Sequence, residues 1–421
     1  MGSINGGPST GNHYGGYIMF SKIMQRHKNI FSKIINDHWE QFKAEHPKYD
    51  IPQYNKPIEK ALNCGEEQGG YTEYRCYECG LGMRRVAFSC KSCFCLSCGK
   101  VYTDNVVSQI SMNLHAGMSY RHIVLTIPEQ LRDYFFKNRF DGKLLSSFMR
   151  IGYECLENAV SKTVRTAVKI GCVVVVQTHG RNGSYNPHLH IIMSSGGVDE
   201  KSGKWRAMKW INYDMLHRKW QYYLLTFLRE WDNGLKNLVD ELWKKYPNGF
   251  VANVSKGEAP QKAKGLARYL AKYVASPPIS VSRILKYDGQ NVTYRYRDHK
   301  SGKEQIETVT AEVFVGRMVQ HILPKGFQRI RYYGLQATKT FKKWQEVIKK
   351  AKLEKSNITG SYEVVPEKKY RQRYEEGCGR DPLICPHCGK EMSLWEIWHP
   401  KYGVIYSEKN GYRKRKKRLA G

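Results

Sequence analysis

The sequence predicts an α+β fold in which a β-sheet is flanked by helices. The clearest observation is the stretch from Val173 to Met193, where four consecutive valines form a buried strand, RNGSYN supplies a turn and PHLHIIM forms the returning strand of a hairpin. Apolar residues recur every three or four positions over 144–170 and 214–243, which predicts amphipathic helices on either side of the hairpin. A further strand is predicted at 121–128, RHIVLTIP. This order of strand, helices, two strands and helices favours an α+β sheet domain over a doubly wound one.

The returning strand of the hairpin carries the first candidate site. Side chains alternate between the two faces of a strand, so His188 and His190 share one face while Leu189 points into the core. Two neighbouring imidazoles can chelate one divalent metal ion. Gln177 on the facing strand can add an amide oxygen as a third ligand, and His179 is the competing choice. The alternative is a chance His-x-His pair, since the chain contains 14 histidines.

The charge balance points to a polyanionic partner. The 421-residue chain contains 69 Lys and Arg against 38 Asp and Glu, a formal net charge of +31. Nucleic acid is the simplest partner for such an excess, and 29 tyrosines and 9 tryptophans add rings on which bases can stack. The apolar runs are shorter than the roughly 18 to 20 residues that a membrane span needs, so we expect no membrane partner.

Twelve cysteines indicate metal binding more than disulfides, because no secretion signal is recognisable and seven of them lie between Cys64 and Cys98. A Cys-x2-Cys pair lets a tight turn direct two sulfur atoms to one tetrahedral ion. We expect one four-thiolate zinc site formed by two such pairs, Cys76 with Cys79 and Cys95 with Cys98. The candidates for a second zinc site are Cys64, Cys90 and Cys93, with a histidine such as His46.

A third group of metal-binding residue types lies further along the chain. The segment Cys385-Pro-His-Cys388-Gly has the pattern of one zinc-knuckle half and lacks an obvious second cysteine pair. Cys378 and His399 are the nearest candidates to complete a tetrahedral site. We therefore expect a C-terminal zinc site within an otherwise polar and basic region.

The stretch PQKAKGLARYLAKYVASPP, residues 260–278, is the second candidate for chemistry. Its prolines favour a helix of about 15 residues that begins after the first and ends before the last two. Tyr269 and Tyr273 are four residues apart and share a helix face. Arg268 and Lys272 lie between them, where cations can hold a phosphate or favour a phenolate. The alternative is that both tyrosines are half-buried core residues.

Several blocks of sequence, taken in order, resemble one known family. They are the SC…CxxC segment at 89–98, RHIVLTIP, QTHG, PHLH at 187–190, RYLAKY at 268–273 and ILPKGFQRIRYYGL at 322–335. From about residue 30 to 340 the chain resembles the IS91 family of rolling-circle transposases, members of the HUH endonuclease superfamily. The resemblance implies an HUH fold of the Rep and relaxase type, an antiparallel sheet with flanking helices, preceded by an N-terminal zinc-binding module. Phe94 and Leu96 stand where the family usually has His and Pro, and Cys93 where it has Arg.

The resemblance implies a two-tyrosine nuclease that cuts and rejoins single-stranded DNA. Mg2+ or Mn2+ held by His188, His190 and a third ligand would polarise the scissile phosphate. Tyr269 or Tyr273, assisted by Lys272, would attack phosphorus and leave a 5′-phosphotyrosine and a free 3′-hydroxyl. The implied partners are single-stranded DNA and transposon-end DNA, in the bacterial cytoplasm near the nucleoid.

Contacts to this DNA are expected from basic residues within the blocks of sequence that carry the resemblance. The segment 325–333, KGFQRIRYY, combines cations with aromatic rings. The candidate DNA-binding residues are Arg268, Lys325, Arg329 and Arg331.

The sequence divides into four expected segments. They are a flexible leader at 1–20, a helical and cysteine-rich zinc- and DNA-binding domain at 21–112, the endonuclease domain at 113–340 with a helical insertion at about 205–255, and a basic C-terminal region at 341–421. Two other functions remain open. One is a plasmid or phage rolling-circle replication initiator or a relaxase, and the other is a non-catalytic zinc-dependent DNA-binding protein.

Overall fold

Helices and strands both occur along the chain, of which the computed structural model describes residues 15–92, 94–96, 98–254, 265, 267–269, 278–298, 301–353 and 364–412. The described strands are β1 (Tyr71–Arg75), β2 (Met83–Ala87), β3 (Tyr120–Thr126), β4 (Val168–His179), β5 (Tyr185–Asp199), β6 (Trp205–Ala207), β7 (Ala252–Val254), β8 (Ile284–Tyr287), β9 (Asn291–Arg297), β10 (Glu304–Thr310), β11 (Ile330–Gly334), β12 (Ser393–His399), β13 (Gly403–Ser407) and β14 (Gly411–Tyr412). The described α-helices are α1 (Gly15–Glu45), α2 (Pro52–Leu62), α3 (Gly99–Met112), α4 (Glu129–Lys137), α5 (Gly142–Val164), α6 (Tyr213–Trp231), α7 (Lys236–Lys245), α8 (Ala311–Val319), α9 (Phe341–Leu353) and α10 (Tyr370–Cys378). Short 3-10 helices lie at Pro47–Tyr49, Glu67–Gly69, Asn233–Leu235 and Val281–Arg283, and residues 265 and 267–269 are helical.

An antiparallel sheet of six strands forms the centre of the fold. Its order is β11-β4-β5-β3-β7, and β6 pairs with the C-terminal part of β5. The predicted hairpin supplies β4 and β5, and the predicted strand RHIVLTIP lies beside β5 as β3. Every pairing in this sheet is antiparallel. The predicted α+β class, an antiparallel sheet with flanking helices, is confirmed.

Helices α4 to α7 cover one face of the central sheet. Alternate strand residues point toward them and are buried, among them Leu125, Val174 and Leu189. The sequence periodicity extends α5 to about residue 170, yet the helix ends at Val164. It ends there because Arg165 adopts a left-handed φ of 57° and the following apolar residues enter β4.

The opposite face of the sheet is also covered, which explains the run of valines. Val173 and Val175 point away from α4 to α7 and pack with Ile192, Ala267 and Ile348. The last two belong to the helical residues 267–269 and to α9. A strand that is buried on both faces needs apolar side chains at successive positions, so β4 shows no polar alternation in this part.

The N-terminal helices belong to a second core. Ile34 and Trp39 of α1 pack with residues of α2, α8 and the three-stranded sheet β10-β9-β8. Three cysteines are buried in the same core, Cys64, Cys95 and Cys98. Part of the N-terminal cysteine-rich region therefore packs in a core that the N-terminal helices share with α8 and the three-stranded sheet.

Residues 71–87 and 393–412 form a third sheet, of order β14-β13-β12-β1-β2. β1 pairs with β2 on one side and with β12 on the other. Tyr71 stacks on Trp398 with 5.6 Å between ring centroids and donates a hydrogen bond to Glu396 at 3.0 Å. The sequence did not predict β12 to β14; β12 and β13 are only half-buried and carry no alternating apolar face.

None of the described helices, the 31-residue α1 included, has the length and apolar character to cross a membrane.

Replacing the N-cap of α5 tests how much one local signal contributes to stability. Asp141 accepts hydrogen bonds from the Lys143 and Leu144 N–H groups at 2.8 and 3.2 Å. We expect Asp141→Ala to lower the free energy of unfolding by about 1 kcal/mol, measured by urea denaturation. The control Asp133→Ala removes an exposed ion pair with Lys137 and should change stability by less than about 0.5 kcal/mol. Equal effects of the two substitutions would contradict the capping role.

Candidate functional site

Three polar side chains meet on the sheet face opposite α4 to α7. His188 and His190 lie on β5, and Gln177 lies on β4 directly across from His188. Cross-strand partners point to the same side of a sheet, and alternate residues of one strand share a face. The structure therefore brings together the three residues that the hairpin pattern selected.

The donor atoms of these side chains converge. His190 Nε2 lies 3.1 Å from His188 Nε2 and 2.9 Å from Gln177 Oε1. Neighbouring ligands of an octahedral Mg2+ ion, each at about 2.0–2.1 Å, are about 2.9 Å apart. Both distances fit adjacent corners of such a shell, so this donor set suits an octahedral divalent ion.

Burial keeps both imidazoles neutral. Desolvation lowers the pKa of His188 and lowers the pKa of His190 well below its usual range. His188 Nδ1 lies 2.7 Å from the Asn186 carbonyl oxygen and donates to it, which leaves a lone pair on Nε2. The charge of Arg132 on α4, a residue that the sequence did not single out, also lowers the pKa of His188. Neutral imidazole is the form that binds a metal.

His179 supports Gln177 and does not replace it. Gln177 Nε2 lies 3.0 Å from His179 Nε2, while Gln177 Oε1 faces His190. The amide nitrogen donates to the ring nitrogen, and this orientation directs the amide oxygen to the histidine pair. Of the two candidates for a third ligand, the geometry favours Gln177.

A chain of hydrogen bonds leads from the histidine pair to Tyr269. His122 on β3 has its Nε2 3.0 Å from His190 Nδ1 and its Nδ1 2.8 Å from the Tyr269 hydroxyl oxygen. The His122 and His190 rings stack at 5.2 Å, and Tyr269 meets the His122 ring edge-on. Desolvation lowers the pKa of His122 to about 4. His122 was not predicted from the sequence, although strand alternation places it on one face with Val124 and Thr126, which pair with the two β5 histidines.

Only part of the predicted tyrosine site lies in the described chain. Tyr273 and Lys272 are outside the described residues. Arg268 is exposed and directly precedes Tyr269. Of the two predicted nucleophiles, Tyr269 is the one that lies among the described residues.

The predicted DNA-binding residues of the KGFQRIRYY segment differ in exposure and in their contacts. Lys325 is exposed and Arg329 is half-buried. Arg331 on β11 donates to Ser146 Oγ of α5 at 2.7 Å. Arg331 thus lies on the helix-covered face of the sheet, opposite the face that carries His188.

Four cysteine sulfur atoms of the N-terminal region lie within 4.8 Å of one another, those of Cys64, Cys90, Cys95 and Cys98. Cys98 Sγ is 3.4 Å from Cys64 Sγ and 3.6 Å from Cys90 Sγ. Thiolates around a tetrahedral zinc ion with Zn–S bonds of about 2.3 Å are about 3.8 Å apart. This set of donors and its partial burial suit a structural zinc ion.

This geometry corrects the predicted grouping of the cysteines. The predicted site was Cys76, Cys79, Cys95 and Cys98. The structure instead places together Cys76, Cys79, Cys385 and Cys388. Pairing of β1 with β12 brings the two knuckles side by side, and local spacing cannot reveal contacts at a sequence separation above 300 residues.

The other predicted cysteine and histidine ligands lie elsewhere. Cys93 is outside the described residues. Cys378 is exposed at the end of α10, and the His399 ring packs beside Phe88. Neither belongs to a group of ligands among the described residues. His46 pairs with Glu312 at 2.7 Å and not with a cysteine.

A basic and aromatic cleft lies between the N-terminal zinc region and α10. Its cations are Arg84, Lys91, Lys368, Lys369, Arg373 and Arg380, and its rings are Phe88, Tyr102, Tyr370 and Tyr374. The Arg84 guanidinium lies 4.5 Å from the centre of the Tyr374 ring. Tyr370 is exposed and the other three rings are half-buried, and cations beside accessible rings can hold phosphates and stack bases. This surface could not be predicted from the sequence, because its two walls are distant in sequence.

Known family models match two ranges of the chain, one with the N-terminal cysteine group and one with the histidine pair. Residues 34–127 match the family described as "Transposase zinc-binding domain", a range that contains the cysteine group around Cys98. Residues 171–343 match the family described as "Putative transposase", a range that contains His188, His190 and Tyr269.

Two curated proteins are similar over most of their length. The chain is 26% identical over 383 residues to "Transposase for insertion sequence element IS801" of Pseudomonas savastanoi pv. phaseolicola. The alignment covers 87% of this chain and 88% of the relative. The chain is also 26% identical over 383 residues to "Putative transposase y4qJ" of Sinorhizobium fredii. This alignment covers 87% of the chain and 94% of the relative. No solved structure matches the chain. The two domain matches and the two relatives confirm the resemblance of this chain to the IS91 family of transposases.

Proposed function

We propose that this transposase is an HUH endonuclease that nicks single-stranded DNA at the ends of its insertion sequence and rejoins the strands during rolling-circle transposition. The observation that carries this proposal is the continuous line of contacts from Gln177 through the histidine pair and His122 to Tyr269. It joins a set of metal-binding atoms to a phenol hydroxyl. A protein that only binds DNA requires neither.

The proposed catalytic ion is Mg2+ or Mn2+, and His188, His190 and Gln177 would hold it. When bound there, the ion would polarise the scissile phosphate and stabilise the charge that develops on it. The contribution of the chain is to present two neutral imidazoles and one oriented amide oxygen in a buried, preformed arrangement. Such preorganisation avoids rearranging the ligands when the substrate binds.

Tyr269 is the proposed nucleophile for which the described chain provides direct support. When His190 Nε2 serves as a metal ligand, His190 Nδ1 carries the proton and donates to His122 Nε2. His122 then carries its own proton on Nδ1 and donates it to the Tyr269 oxygen. A hydrogen bond donated to that oxygen holds it in position and stabilises the negative charge on it during attack on phosphorus.

The proposed step conserves the phosphoester bond. The Tyr269 hydroxyl releases its proton to solvent as its oxygen forms a bond to phosphorus, the bond from phosphorus to the 3′ oxygen breaks, and that oxygen takes up a proton from solvent and leaves as a 3′-hydroxyl. The product is a 5′-phosphotyrosine. Attack by another DNA 3′-hydroxyl reverses the step and joins strands without ATP. Tyr273 is proposed as the second nucleophile, as the family resemblance implies.

DNA contacts are proposed on two surfaces. Arg268 is exposed beside Tyr269 and can meet a phosphate close to the cut. The basic cleft beside α10 offers cations with stacking rings and is proposed to hold a longer part of the strand. The net charge of +31 supports a polyanionic partner.

A replication initiator or relaxase would share this chemistry. The similarity to the IS801 transposase and the match to a transposase zinc-binding domain favour transposition over both.

Removing the histidine pair tests the metal-dependent nuclease. We expect His188→Ala combined with His190→Ala to abolish nicking of end-labelled single-stranded DNA in Mg2+ or Mn2+, because two of three metal-binding atoms are lost. Affinity for the same oligonucleotide, measured by fluorescence anisotropy, should change little. The control His46→Ala alters a half-exposed histidine paired with Glu312 and should nick normally. Undiminished cleavage by the double variant would overturn the catalytic assignment.

The tyrosines are tested by trapping the covalent adduct. Tyr269→Phe and Tyr273→Phe should each retain some adduct on a simple nicking substrate, while the double variant gives none, because each phenol can serve as nucleophile once. Complete transposition should fail in both single variants, since a second cleavage needs a second nucleophile. Tyr222→Phe, an exposed tyrosine on α6, is the matched control. Transposition by Tyr269→Phe at the wild-type rate would show that this tyrosine is structural.

His122 is tested as a positioning residue. His122→Phe keeps an aromatic ring but removes the donor to Tyr269, and we expect roughly tenfold or greater slowing of adduct formation, because a hydrogen bond to a charged oxygen contributes about 1.5–3 kcal/mol. The effect should be small in the Tyr269→Phe background, where no hydroxyl remains to be positioned. Equal slowing in both backgrounds would instead indicate a general loss of structure.

A further inference from the structure

Two Cys-x2-Cys knuckles from distant parts of the sequence face one another. Cys76 Sγ lies 3.4 Å from Cys388 Sγ, and Cys79 Sγ lies 3.6 Å from Cys385 Sγ. All four sulfur atoms lie within 4.8 Å of one another. A disulfide would need about 2.05 Å, whereas thiolates around a tetrahedral zinc ion are about 3.8 Å apart, given Zn–S bonds of about 2.3 Å. The spacing is that of four ligands around one ion.

The two knuckles have the same backbone geometry. The Gly80 N–H donates to the Cys76 carbonyl at 3.1 Å, and the Gly389 N–H donates to the Cys385 carbonyl at 3.0 Å. Both glycines adopt a left-handed φ, 68° and 73°. Each turn therefore directs its two thiols to one side, and each knuckle supplies half of a tetrahedral set.

A glycine allows the two halves to approach closely. A Cβ atom on Gly82 would lie 2.5 Å from Cys385 Sγ and 3.1 Å from Cys76 Cβ. The Gly82 carbonyl also accepts a hydrogen bond from the Cys76 N–H at 2.8 Å. The N-terminal knuckle thus has space for Cys385 Sγ, because a side chain at position 82 would clash with that sulfur atom.

Apolar packing around the four sulfurs is sparse. The buried members of this cluster are Cys76, Cys385 and Met392, with Tyr74 and Cys79 packed against them. So small a core cannot by itself hold two distant segments together. Coordination of a metal contributes folding free energy directly in such a case.

We propose that Cys76, Cys79, Cys385 and Cys388 bind one structural zinc ion that is shared between the N-terminal zinc region and the C-terminal segment. This ion is separate from the structural zinc ion that the group of Cys64, Cys90, Cys95 and Cys98 suits. The match to the transposase zinc-binding domain ends at residue 127, so half of the ligands of the shared ion lie outside it. The shared ion fastens β12 to β1 and holds α10 in place as one wall of the basic cleft.

Zinc counting on the purified full chain tests this assignment. We expect two zinc ions per chain in the wild type by inductively coupled plasma mass spectrometry. The variant Cys385→Ser with Cys388→Ser should hold one, and so should Cys76→Ser with Cys79→Ser. The variant with all four substitutions should still hold one, because both pairs bind the same ion.

Separate N- and C-terminal zinc sites would give a different count. If each pair belonged to its own site, the fourfold variant would lose two ions where each double variant loses one, and the proposal would fall. The control Cys378→Ser alters an exposed cysteine of the C-terminal segment and should keep both ions. Loss of zinc from that control would likewise overturn the assignment.

Gly82→Ala provides a test that leaves every thiol in place. Its Cβ would crowd Cys385 Sγ, so we expect the shared zinc to be lost to a mild chelator at least tenfold faster than in the wild type. Gly377→Ala on α10, where a Cβ meets no atom within 4 Å, is the matched control. Limited proteolysis should release the C-terminal segment from the Gly82→Ala variant only. Equal zinc release from both variants would show that the knuckles do not share an ion, whatever the nicking activity.

Discussion

The candidate site depends on the register of β5 between its two neighbouring strands. That register places Gln177 opposite His188 on one side and Val124 opposite His190 on the other. Side chains alternate along a strand, so a slip of one residue would turn both histidines into the helix-covered core. The same slip would bring Leu189 to the site. Burial of the alternate residues against α4 to α7 therefore keeps His188 and His190 on the opposite face of the sheet.

Polar groups on a buried face are costly unless they bond to one another. An unpaired buried group costs about 1–3 kcal/mol by mutational measures. Before an ion binds, His190 Nε2 donates to Gln177 Oε1, His122 Nε2 donates to His190 Nδ1 and the Tyr269 hydroxyl donates to His122 Nδ1, while apolar residues such as Val175 surround them. Such a network is rigid because every bond fixes the next. It can therefore hold ligand atoms in place before any ion or DNA strand arrives.

Local pattern predicted the parts of this molecule that depend on neighbours in sequence. The hairpin, its histidine pair and Gln177 follow from strand alternation and a turn. His122 did not, because its place beside His190 depends on how β3 pairs with β5, and strand pairing is not encoded in local spacing. The cysteine grouping failed for the same reason. Two Cys-x2-Cys pairs that are close in sequence predicted one shared zinc site. The sheet formed by β1 and β12 instead joins residues more than 300 positions apart.

The two kinds of ligand set have different physical consequences. Four thiolates close the coordination shell of zinc, so such a site can only hold parts of the chain together. Two imidazoles and an amide oxygen leave positions of an octahedral shell for other ligands, so such a site can bind a phosphate oxygen. The closed sets lie on the terminal sheet and the N-terminal core, and the open set lies on the central sheet. In the proposed assignment the closed sets would stabilise the fold and position the basic cleft beside α10, and the open set on the central sheet would serve the DNA chemistry.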